Sequence, residues 1–120
     1  MTTVHFTFQT AIQDKTFYVT YGSMNCIKSK KVPESFSAMS SPSGKAQANN
    51  DGSCAYENSK IKLYIWADPD HTDQVAKIKL WEDITEEHPF WDYDFQYFGQ
   101  GYYVTLQPSD DVDYLFDLVG

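Results

Sequence analysis

The chain reads as an all-β protein, an antiparallel β-sandwich or partly closed barrel of about 7–8 short strands in a single domain spanning 1–120. Three observations predict this. Stretches rich in β-branched and aromatic residues recur along the chain, turn residues separate them about every ten positions, and no stretch carries a capped helical period. At 120 residues the chain has the length of one domain and hides enough surface to fold without staples.

Val4–Ile12 (VHFTFQTAI) and Thr16–Tyr21 (TFYVTY) are the first two strand signals, and the short Gln13-Asp14-Lys15 link predicts that they pair as a hairpin. Val4, Phe6 and Phe8 alternate with His5, Thr7 and Gln9, the period of a half-buried strand. From Ser23 to Ser59 small polar residues dominate. Short strands are expected near Asn25–Lys28 and Ser35–Met39, followed by a flexible polar excursion at about 40–53, where Pro42, Gly44 and Asp51-Gly52 are turn signals.

Lys60–Ala67 (KIKLYIWA) and Val75–Asp83 (VAKIKLWED) form the clearest pair. Symmetric closure over the loop 68–74 sets Ala67, Ile65 and Leu63 opposite Ala76, Ile78 and Leu80, with Trp66, Tyr64 and Lys62 opposite Lys77, Lys79 and Trp81. One face is then aliphatic and the other aromatic and lysine-bearing. A slip by one residue would mix them. Phe95–Phe98, Tyr102–Leu106 and Tyr114–Val119 supply the remaining strands.

Charge is distributed unevenly. Residues 1–62 sum to +3 and residues 63–120 to −11, and no lysine follows Lys79 although ten carboxylates and eleven aromatic rings do. Such polarity steers charged partners. With no arginine and an anionic aromatic half, direct nucleic-acid binding is excluded as a function class. No apolar run approaches the roughly 20 residues of a membrane span. The N-terminus lacks a signal-peptide pattern, which predicts a cytoplasmic location. Cys26 and Cys54 are open to two readings, a disulfide around the polar middle of the chain or a pair of reduced thiols.

Catalytic chemistry is thinly represented. His5, His71 and His88 show no metal-ligand spacing, there is no C-x-x-C, and Gly99-Gln100-Gly101 runs into Tyr102-Tyr103 rather than a phosphate-binding helix. A non-catalytic role is therefore expected, with no resident cofactor. The one cation candidate is Ca²⁺ at Asp68, Asp70 and Asp73, three carboxylates on a short turn that fails the EF-hand spacing.

Two surfaces remain. The first is Phe90-Trp91-Asp92-Tyr93-Asp94-Phe95-Gln96-Tyr97-Phe98-Gly99, in which Trp91, Tyr93, Phe95 and Tyr97 share one strand face and Asp92, Asp94, Gln96 and Phe98 the other, either packing its rings into the core or presenting them as a partner site. With Trp81 it is the expected contact for a basic protein: Trp81, Trp91, Tyr93 and Tyr97 as anchors, Asp92 and Asp94 as orienting charges. The second is Tyr64, Trp66 and Trp81, flat rings beside lysines on which a carbohydrate ligand would stack in a lectin-like module. A homo-oligomeric structural subunit, with the aromatic segment between copies, is the third expectation.

Overall fold

The computed structural model describes residues 3–49, 51–54, 57–83 and 90–120. Among them ten strands form two five-stranded sheets, more strands than the sequence signals suggest. The strands are β1 (Thr3–Thr10), β2 (Thr16–Asn25), β3 (Ile27–Lys31), β4 (Ser35–Ser37), β5 (Ser43–Ala48), β6 (Lys60–Trp66), β7 (Gln74–Asp83), β8 (Phe90–Tyr97), β9 (Tyr103–Ser109) and β10 (Asp113–Val119). The first sheet runs β3-β5-β1-β10-β9 and the second β4-β2-β6-β7-β8. All pairings are antiparallel except β1 with β10, which joins the two ends of the chain in parallel.

The core lies between the sheets. Val4, Phe6 and Phe8 of β1 and Phe116 and Leu118 of β10 face Phe17 and Val19 of β2, Phe36 of β4 and the aliphatic rows of β6 and β7. Phe8 sits at the junction, with ring centroids 5.4 Å from Phe36 and 5.7 Å from Phe116. Each such side chain removed from water contributes roughly 1.5–3 kcal/mol, which is why the alternation along each strand decides its orientation.

Three sequence expectations are corrected. β1 and β2 do not form a hairpin: β1 pairs with β5 and β10, and β2 with β4 and β6. Residues 11–15 carry the chain from one sheet to the other, so both apolar rows meet face to face instead of lying side by side. Asp14 takes the left-handed conformation there (φ 60°), and the Thr10 hydroxyl accepts the Ile12 N–H and donates to the Leu118 carbonyl.

The segment expected to be a flexible excursion contains β5, inserted between β3 and β1. Its alternation is written in small residues. Gly44, Ala46 and Ala48 are buried while Ser43 and Lys45 are exposed. A 3-10 turn follows at Gly52–Cys54, and Cys54 is disulfide-bonded to Cys26, with 5.7 Å between the Cα atoms.

The β6–β7 faces segregate as expected, but the register differs. Ile65, Leu63 and Ile61 oppose Ala76, Ile78 and Leu80, and Tyr64, Lys62 and Lys60 oppose Lys77, Lys79 and Trp81. The cause lies in the loop. The Asp68 carboxylate accepts the N–H groups of Thr72 and Asp73 and the Thr72 hydroxyl, closing the turn between Ala67 and Asp73. An irregularity between Ile65 and Trp66 then absorbs the extra residue, leaving Val75 and Ala76 both buried. No helix among the described residues is long and apolar enough to cross a membrane.

Candidate functional site

β8 is the last strand of the second sheet and β9 the last of the first; residues 98–102 cross between them. Gly99 (φ 76°) and Gly101 (φ 81°) supply the left-handed turns this short crossing needs. Tyr97 and Tyr103 consequently meet edge to face at 5.0 Å, and the Tyr97 hydroxyl donates to the Val104 carbonyl and accepts the Val104 N–H.

Along β8 the alternation places Trp91, Tyr93, Phe95 and Tyr97 toward the sandwich interior and Asp92, Asp94 and Gln96 outward. Depth differs sharply along that inward row. Trp91 is 1% exposed, whereas Tyr93 and Tyr97 are 38% and 36% exposed. Trp91 is therefore part of the core and not a contact residue. Asp111, from the turn before β10, accepts its N–H at 3.1 Å, and the Tyr114 hydroxyl donates to its carbonyl. Farther along, β8 has only the margin of the core beneath it. Tyr93 leans on Phe95 (5.0 Å) and Tyr114 (5.7 Å), and Phe95 on Phe116 (5.9 Å). With Phe98 and Tyr103 also exposed, the flank carries a row of half-open rings.

The carboxylates converge at one end of the row. Burial pushes the Tyr114 hydroxyl pKa well above its ordinary value, and the negative charges of Asp92, Asp111 and Asp110, with Tyr93, push in the same direction. The phenol stays protonated and donates. Asp92 stands opposite Trp81, while Asp94 stands opposite Lys79, so Asp92 has no lysine facing it across the ladder. Glu86, Glu87 and His88 lie outside the described residues.

The second surface occupies the outer face of β6 and β7. Tyr64, Trp66 and Trp81 share it, each half-buried. Trp66 Nε1 donates to Thr20 Oγ1 at 2.8 Å, its ring lies 5.8 Å from His71 and 6.3 Å from Tyr64, and the Lys79 ammonium sits 5.2 Å over Trp81. Lys62, Lys77, Lys79, Asp94 and Gln96 line a shallow hollow of about 180 Å³ beside these rings.

Asp68, Asp70 and Asp73 are not drawn into one cluster. The Asp68 oxygens are occupied by the hydrogen bonds that shape their own loop, which hold its carboxyl below the ordinary value of 3.8. Among the described residues no group of three or more His, Cys, Asp or Glu side chains is arranged to hold a metal ion. Sequence reasoning missed Tyr103 and Tyr114 as parts of the flank. The three-residue link Gly99-Gln100-Gly101 was the signal, since it limits how far β8 and β9 can separate.

Comparison with protein-family models, curated proteins and solved structures finds no match.

Proposed function

We propose that the protein is a non-catalytic binding protein whose β8–β9 flank engages a cationic protein partner. One observation carries the reading: Tyr93, Tyr97, Phe98 and Tyr103 stand partly open on two neighbouring sheet edges, and Asp92, Asp110 and Asp111 gather at the Tyr93 end of that row. Rings of this kind supply contact area at low entropic cost, and carboxylates at the rim orient and accelerate encounter. The disulfide supports an oxidising compartment over the cytoplasm expected from the N-terminus.

The test is retention of basic proteins on the immobilised chain. Binding should weaken steeply with salt, because exposed charges are screened over about 8 Å at physiological ionic strength. Asp92→Asn with Tyr93→Ser should lower the affinity of any retained protein by roughly a hundredfold. Unchanged affinity with an intact circular dichroism spectrum would sink the assignment.

A second reading, carbohydrate stacking, is supported by the shared outer face of Tyr64, Trp66 and Trp81. It separates from the first because glycans would shift tryptophan fluorescence with little dependence on salt.

A further inference from the structure

Four strands end the two sheets, and three of them are blunted. An uncovered edge offers unpaired backbone groups to any passing chain, and natural sheets guard it with lysine, proline, bulges or brevity. β3 carries Lys28, Lys30 and Lys31 and shifts register between Ile27 and Ser29. β4 has three residues. β9 contains Pro108, is irregular against β10, and has its Val104 N–H and C=O occupied by the Tyr97 hydroxyl. β8 differs in four respects: eight residues, no lysine, no proline, and an unbroken register from Asp83↔Phe90 to Ala76↔Tyr97; only at Trp91 are both outward backbone groups taken, by Asp111 and Tyr114.

Two hydrogen bonds reveal which backbone groups of β8 point off the sheet. The Trp91 N–H donates to Asp111, and its register partner Glu82 donates its own N–H to Ser59 at 2.8 Å, on the far side. These two residues therefore form a pair that exchanges no backbone hydrogen bonds. Antiparallel ladders alternate, so Tyr93, Phe95 and Tyr97 are in the same position. Their N–H and C=O groups face outward. The Tyr93 N–H is held by its neighbour, donating to Asp92 Oδ1 at 2.8 Å. Among the described residues no hydrogen bond occupies the outward N–H of Phe95 or Tyr97.

We propose, building on the partner-binding reading above, that β8 receives its partner by strand addition. The occupant is an extended segment with a basic residue level with Asp92 and apolar or aromatic residues alternating with it. The basic side chain falls on the outer face, where Trp81 and not a lysine stands opposite Asp92 in the register; the apolar ones fall inward beside Tyr93 and Tyr97. When a partner carbonyl takes the Tyr93 N–H, the Asp92 carboxylate is released to pair with the incoming cation. A second copy of this chain fits poorly, because two antiparallel β8 strands would crowd Asp92 and Asp94 of both copies on one face.

The experiment uses the full, disulfide-bonded chain and a synthetic peptide of about seven residues alternating lysine with valine and phenylalanine. At saturation, hydrogen exchange at the Phe95 and Tyr97 amides should slow roughly tenfold, with Gln96, already turned toward β7, little changed. N-methylation of one alternate set of peptide residues should weaken binding roughly tenfold while methylation of the other set has little effect. Equal binding by both methylated peptides and the parent would overturn strand addition and leave the acidic–aromatic contact standing. Failure of the lysine peptide to bind, or equal binding by its glutamate counterpart, overturns both. Protection that rises with protein concentration without peptide would make the occupant a second copy and overturn the cationic segment.

Discussion

Gly44 shows how one position constrains two strands. A Cβ added there would lie 2.4 Å from the Lys31 carbonyl oxygen, 2.5 Å from the Phe6 ring and 2.9 Å from Pro33, and two of these three neighbours are backbone or a ring locked in the core. Relief requires β5 to move away from β1. Gly44→Ala should therefore destabilise the fold by about 1–3 kcal/mol, read as a lower urea midpoint with an unchanged slope. A midpoint equal to the parent's would mean that β5 tolerates displacement. The same scale shows what the sequence conveys about the candidate site. Alternation assigned Trp91, Tyr93 and Tyr97 to one face of a strand, and that face is the one observed. Alternation carries no information on depth, however. Trp91 is covered because Asp111 and Tyr114 reach it from 20 and 23 residues away in sequence, and no local pattern announces that contact.

Among the elements, β6 and β7 were the most legible, since their aliphatic and aromatic–lysine rows each occupy one parity. The register was less so, because it is set by the loop and not by the strands. Asp68 is the residue responsible. Hydrogen bonds from the Thr72 hydroxyl and from the N–H groups of Asp73 and Thr72 hold its carboxyl below its ordinary value of 3.8. A depressed folded value means stability that is fully present above the ordinary value and lost as pH falls through the folded one. Asp68→Ala should thus lower the melting temperature at neutral pH and flatten its decline on acidification below about pH 4. Parallel melting curves for parent and variant from pH 7 to pH 2 would contradict this role. β5 and the β1–β2 crossing were illegible for a different reason. A strand built from Gly44, Ala46 and Ala48 lacks bulky residues to signal it, and a short polar link looks alike whether it joins neighbours or crosses between sheets.

Over the whole molecule, the charge asymmetry of the sequence becomes an asymmetry in space. The lysine-bearing β3 and the aromatic, lysine-free β9 are opposite edges of the first sheet. The disulfide belongs to the β3 side. It joins Cys26, between β2 and β3, to Cys54 beyond β5, a separation of 28 residues that encloses β3, β4 and β5. Closing a loop of that length restricts the unfolded chain by about 3–4 kcal/mol in the chain-entropy account. That is a large share of the roughly 5–15 kcal/mol by which domains are stable. Cys26→Ala with Cys54→Ala should therefore shift the urea midpoint downward by a matching amount, and reductant should do the same to the parent. Because β8 lies in the other sheet and at its far edge from β4, binding of a cationic peptide to the folded double variant should be unchanged. Loss of that binding under conditions where the fold persists would mean that the bridge shapes the β8–β9 flank directly. An unshifted midpoint would mean that the polar middle of the chain is held by its strand pairings alone.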